Sequence, residues 1–175
     1  MSLQQAIEQV NTINRPAFIP YVMAGDGGLA NLPSIISRLE KLGATAIEIG
    51  IPFTDPVADG PVIEEAGMRA LANGTTLKKV IETLRTNRNE FSIPLIFMSY
   101  LNPILAYGQE QFARDAYEAG VHGVIIPDMP LEEKEILHPY LKASNIALIQ
   151  LISLTSDADR MEKLAKASEG FIYAV

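Results

Sequence analysis

Residues 43–50 read GATAIEIG, and residues 120–126 return to the same pattern as GVHGVII. Each begins with a glycine and runs at once into a short apolar stretch. That is how a helix ending in a left-handed turn passes into a strand buried on both faces. The strand period of two puts Ile47 and Ile49 on one face, and Ala46, Glu48 and Gly50 on the other. The bulky pair suits packing against helices, and the small residues around Glu48 leave room on the opposite face. Aligned on their glycines, the two stretches set Glu48 where the repeat supplies Ile125. An acid therefore stands at an aliphatic position.

Four further runs have the same character: AFIPYVM (17–23), IPLIFMS (93–99), IALIQLIS (146–153) and GFIYAV (170–175). With ATAIEIG (44–50) and GVIIP (123–127) they predict six short parallel strands, mostly continuous in hydrophobicity rather than alternating. Helical spacing fills the gaps. Leu32, Ile35, Ile36, Leu39 and Leu42 form one stripe, and Leu77, Val80, Ile81 and Leu84 another. Phe112, Ala116 and Ala119, then Ile136, Leu137 and Leu141, form shorter ones. Between Gly50 and Pro94 an enlarged loop, IPFTDPVADGP (51–61), precedes a short helix expected over 62–72. Alternating strand and helix without a Gly-rich dinucleotide fingerprint favours a TIM (β/α)8 barrel over a doubly wound sheet. Eight units need about 250 residues. The 175 residues thus supply about the first six βα units of one domain, 1–175, with an N-terminal helix and an enlarged loop at 51–61.

Composition narrows the function classes. The net charge is −7, and Lys and Arg are scattered singly, which argues against nucleic-acid and membrane-surface binding. There is no cysteine for a disulfide, thiolate nucleophile or Cys-held metal. The two histidines, His122 and His138, are far apart in sequence and read as surface residues. No apolar run reaches the roughly 20 residues of a membrane span, and MSLQQAIEQVNTINRP is not a signal peptide, so a cytoplasmic protein is expected.

Glu48 is the only acid inside any of the six runs. It either reaches solvent or an arginine at a strand end, or is buried at the barrel mouth, where desolvation raises its pKa toward neutrality. Asp59, in ADGP, can form a turn or cap the helix that Pro61 opens, or can act as a second acid. Asp55, in TDP, reads as a loop residue on its local signal. AGDGG (24–28) reads as a strand–helix turn more readily than as an anion nest. Tyr21, Tyr100 and Tyr173 each fall near the C-terminal end of a strand, where converging rings would suit a flat aromatic ligand.

The fifteen residues IEIGIPFTDPVADGP (47–61) closely resemble the signature of the tryptophan synthase alpha subunit family. PAFIPYVMAGDG (16–27), MSYLNPILAYG (98–108) and VIIPDMPLEE (124–133) resemble further segments of it. The resemblance implies a lyase that cleaves indole-3-glycerol phosphate to indole and glyceraldehyde 3-phosphate by a retro-aldol step. Glu48 would match the general acid/base and Asp59 the second catalytic acid, on a loop that closes over substrate. Tyr21, Ile63, Met98, Tyr100, Ile125 and Tyr173 would match positions lining the indole pocket. Pro52, Asp55, Asn102, Pro103, Asp128 and Pro130 would match the face docking on a beta subunit in an alpha2-beta2 heterotetramer. No cofactor is implied in this chain; the beta partner would carry pyridoxal phosphate and receive the indole. The family holds the substrate phosphate with turns after strands seven and eight, which these residues do not include. The alternative expectation is therefore a non-catalytic fragment that only docks on the beta subunit. A different phosphate-sugar epimerase or aldolase is disfavoured, because no strand carries a Schiff-base lysine or a histidine pair.

Overall fold

A computed structural model describes residues 2–175. Its strands are β1 (Tyr21–Met23), β2 (Ile47–Gly50), β3 (Leu95–Met98), β4 (Val121–Ile125), β5 (Ala147–Ile152) and β6 (Ile172–Ala174). They pair in sequence order, every pair parallel. Each parallel step needs a crossover, supplied by α2 (Leu32–Lys41), α3 (Pro61–Ala72) with α4 (Leu77–Thr86), α5 (Leu101–Tyr107) with α6 (Gln109–Glu118), α7 (His138–Ala143) and α8 (Ala158–Ala167). The sheet curls into the six-unit part of a (β/α)8 barrel expected from the sequence.

The strands are shorter than the apolar runs, and proline explains two of the boundaries. Pro20 and Pro94 stand just before β1 and β3, where they cannot donate to the ladder. Their carbonyls still accept, from Glu48 N at 2.9 Å and Ile47 N at 3.1 Å. Three helix-to-strand turns use glycine in the left-handed region: Gly43 (φ 92°), Gly120 (φ 93°) and Gly170 (φ 76°).

Strand alternation sorts the core into two layers. Ile47, Ile49, Phe97 and Val124 face the helices and pack with Ile36, Ile81, Leu84 and Phe112. Ala46, Ile96, Ile125 and Ile149 face inward and pack with Leu3 of α1 (Leu3–Thr12). A capping box between Ser2 and Gln5 fixes the start of α1. Leu3 fills space that two glycines leave open, since a β-carbon at Gly123 or Gly170 would fall 2.9 or 3.0 Å from its Cδ2. The lower end of the barrel wall is thus plugged by a side chain, and the upper end is left for loops.

Four expectations need correction. Ile35 of α2 and Leu42, just past its end, are exposed, so the buried stripe is the narrower Leu32–Ile36 edge. The stripe at 136–141 is not one helix: a 3-10 turn at Leu131–Ile136 stops before Leu137, and α7 begins afresh around Pro139. His122 is a half-buried residue of β4, because that strand starts directly after Gly120 rather than at residue 123. His138 is also half-buried, with Nε2 3.1 Å from Glu169 Oε1.

Candidate active site

β2 carries Glu48 on its inward face, level with Tyr21 of β1 and Ile96 of β3. The side chain does not reach solvent or an arginine: the residue is 4% exposed, and Oε1 is buried without a hydrogen-bond partner. Burial alone pushes its carboxyl up to about 7. Such a group is close to half protonated at neutral pH, so it can give and take a proton without large cost in either direction.

Asp59 lies on the loop between β2 and α3. It does not cap α3, whose N-cap is Gly60 with no side-chain bond, so the capping alternative falls away. Burial raises the Asp59 pKa, the neighbouring Tyr100 hydroxyl pulls it back, and Glu64 raises it again. Tyr100 holds the loop from the side. Its ring stacks on Phe53 with centroids 5.2 Å apart, and its hydroxyl accepts from Ala58 N at 2.9 Å.

Glu48 and Asp59 open onto one cavity of about 750 Å³, with Tyr21, Ile63, Met98 and Tyr173 also in its lining. Tyr21 crosses the end of β2 only because residue 50 is glycine; a β-carbon there would fall 1.9 Å from its hydroxyl oxygen. Burial lifts the Tyr21 phenol well above its usual range, with Asp59 and Glu48 adding to the shift. Tyr173 is raised by burial and then by Glu48. The rings therefore stay neutral and act as aromatic walls. Two expected pocket residues lie elsewhere. Ile125 is fully buried in the inner cluster, against Met98 and Tyr173, and Tyr100 supports the loop rather than the cavity surface.

AGDGG forms a turn, with Asp26 bound to Arg69 of α3 through two hydrogen bonds of 2.8 and 2.9 Å. A carboxylate already occupies that turn, which leaves the nest alternative without support. Of the residues expected on a docking face, Asp55, Asn102, Asp128 and Pro130 are exposed at the upper rim, and Pro103 is half-buried. Pro52 is buried and can reach a partner only through the loop it shapes. Asp128 has a local task as well, accepting from Leu101 N at 2.9 Å and so joining the loops after β3 and β4.

Gln150 and Arg160 also line the cavity and were not singled out from the sequence. A signal for Gln150 existed: in IALIQLIS it is a polar residue with apolar neighbours on both sides. Arg160 sits on an ordinary charged helix face and had none. Among the described residues, no group of three or more His, Cys, Asp or Glu side chains is placed to hold a metal ion, and no helix is long and apolar enough to cross a membrane.

Comparison with known proteins adds the following. The family described as tryptophan synthase alpha chain matches residues 7–175. The tryptophan synthase alpha chain of Oceanobacillus iheyensis is 51% identical over 173 residues, covering 99% of this chain and 66% of that protein. That of Bacillus cereus strain ATCC 10987 is 54% identical over 161 residues, covering 92% and 62%. Among solved structures, tryptophan synthase subunit alpha from Legionella pneumophila aligns with a TM-score of 0.93 at 36% identity, over 100% of this chain and 68% of that one. The chain thus spans 62–66% of the length of these curated relatives.

Proposed function

The chain belongs to the tryptophan synthase alpha chain family, and from that premise we propose that its cavity serves the cleavage of indole-3-glycerol phosphate to indole and glyceraldehyde 3-phosphate. The observation that carries this reading is Glu48, a buried carboxyl with an unpaired oxygen and a pKa of about 7 beside an aromatic-walled cavity.

Indole is a poor carbon leaving group until C3 of its ring is protonated. In the proposed step Glu48 delivers that proton and then, as the carboxylate left behind, accepts the proton of the hydroxyl on the adjacent side-chain carbon. The carbon–carbon bond breaks as the new aldehyde C=O forms, and its electron pair returns to the ring as neutral indole. Asp59, held near the mouth by the loop that Tyr100 braces, accepts the indole N–H and balances the positive charge that develops on the protonated ring. Tyr21 and Tyr173 supply apolar walls that keep the carboxyls desolvated.

A beta-type subunit is the proposed partner, in an alpha2-beta2 assembly. Asp55, Asn102, Asp128 and Pro130 share the upper rim with the exposed apolar side chains of Val57 and Val62, so polar and apolar groups are both free there to meet a partner. The docking-only alternative has less support. A module that merely docks has no use for an unpaired buried carboxyl, which is costly to keep.

The test is indole release from indole-3-glycerol phosphate in the presence of a beta subunit. Glu48→Gln keeps the shape and loses the proton, so turnover should fall by about 10²–10⁴-fold while a substrate analogue still binds. Turnover near that of the unaltered chain would remove Glu48 from the mechanism.

A further inference from the structure

The cavity does not stop at the inner wall of the barrel. Its lining continues through Met129, just beyond β4, through Leu148 and Gln150 within β5, and through Arg160 and Leu164 of α8. Leu148 belongs to the core layer that faces the helices, whereas Ile149 and Leu151 belong with the inner cluster. The period of two therefore places Gln150 on the helix side, across β5 from the face that carries the proposed chemistry. This outer lobe runs between the 3-10 turn at 131–136 and α8, and the reaction proposed above uses none of these groups.

Gln150 is the unusual member. The residue is 6% exposed, and its backbone N–H donates to Ser168 Oγ at 3.0 Å. Its side-chain amide makes no hydrogen bond with any described residue, although it lies at the cavity surface. Unlike Glu48 Oε1, the amide is not sealed off from the cavity, so the lobe presents an accessible donor–acceptor pair beside the apolar side chains of Leu148, Leu164 and Met129. The one charged side chain there, Arg160, is already engaged through two guanidinium nitrogens by Glu132. An anion would have to displace Glu132, and a cation would find no counter-charge.

We propose that this outer lobe is a binding subsite for a small neutral aromatic molecule bearing one N–H or O–H donor, with its ring against the leucines and its donor on Gln150 Oε1. The ligand class follows from the lining and stands independently of the lyase reading, although indole, the product in that reading, is a member of the class.

The experiment is an NMR titration of the isotope-labelled 175-residue chain with indole and, separately, with 1-methylindole, which lacks the donor. Indole should shift the Gln150 side-chain amide and the Leu164 amide saturably, and 1-methylindole should bind there about tenfold more weakly for the lost hydrogen bond. Gln150→Met, similar in volume but without the amide, should weaken indole binding at Leu164 by a comparable factor. Responses at Tyr21 and Met98 in the inner part of the cavity should be unchanged. No saturable response at Gln150 and Leu164, equal binding of the two indoles, or unchanged affinity in Gln150→Met would each overturn the proposal. Should the variant fold poorly, the two indoles on the unaltered chain decide alone. A silent lyase assay with a positive titration counts only against the function proposed above, and the reverse counts only against the subsite.

Discussion

Glu40 and Glu48 stand at opposite ends of one helix-to-strand passage and are treated in opposite ways. Glu40, at the end of α2 below the sheet, accepts from Ser92 N at 3.0 Å and 3.3 Å through its two oxygens, and from Ser92 Oγ at 2.6 Å. Glu48, at the upper end of β2, keeps an oxygen buried and unpaired. The apolar groups divide the same way. Leu3 closes the lower end by occupying the space over Gly123 and Gly170, while the upper end opens into a cavity. Polar groups that are satisfied, and apolar groups that are packed, contribute stability. The group left unsatisfied at the upper rim costs stability and is free to act on a ligand.

Two substitutions ask whether the ends are separable. Glu48→Gln should cut the proposed lyase turnover by about 10²–10⁴-fold, roughly 3–5 kcal/mol of barrier, with little loss of folding stability by denaturant titration. Leu3→Ala should do the reverse. Removing a fully buried leucine costs about 2–5 kcal/mol, yet turnover per folded molecule should hold. If Leu3→Ala slowed turnover per folded molecule as much as Glu48→Gln did, the division between the ends would be wrong.

The pH dependence of stability sharpens the point. The Glu48 carboxyl ionises near 4.5 when unfolded and near 7 when folded. Between those values the native state binds the extra proton, so unfolding releases it and stability falls as pH rises. The penalty is absent below about pH 4.5 and complete above about pH 7, where it amounts to about 3 kcal/mol. Glu48→Gln should remove this slope. Relative to the unaltered chain it should therefore gain several degrees in Tm at pH 8 and little at pH 4.5, as read by thermal melts. A Tm difference that did not change with pH would mean that Glu48 is not desolvated as its surroundings imply.

How much of this was legible beforehand follows from how local each cause is. The face of β2 that carries Glu48 followed from the strand period alone, and the turns at Gly43, Gly120 and Gly170 from residue type. His122 was misplaced because a glycine followed at once by strand leaves no polar residue to mark the edge. The stripe at 136–141 misled because helical spacing across Leu137 survives the break between the 3-10 turn and α7. The bond from Leu101 N to Asp128 and the Glu132–Arg160 pair join residues 27 and 28 positions apart. No periodicity encodes such pairs, so the upper rim was readable in its residues and not in its contacts. Tyr100 is the clearest case: its position beside a strand end suggested a pocket wall, and only the folded loop makes it a brace.

That brace gives the smallest of the expected effects. Tyr100→Phe keeps the stacking on Phe53 and removes the hydroxyl that accepts from Ala58 N and neighbours Asp59. Ala58 is exposed, so water can take over the lost bond, and the net cost should stay within about 0.5–1.5 kcal/mol. A few-fold loss of turnover is expected, because Asp59 then spends part of its time away from the place proposed for the indole N–H. The hydroxyl also holds the Asp59 pKa down against burial, so its removal should move Asp59 further up. If Asp59 acts as the carboxylate, the acid limb of the kcat profile should shift to higher pH in Tyr100→Phe. Tyr100→Ala, which loses the ring as well, should add a larger fall in turnover without a further shift of the limb. A profile that stayed in place in Tyr100→Phe while turnover fell would confine the hydroxyl to holding the loop. It would also leave the upper rim with Glu48 as its only group tuned by its surroundings for proton transfer.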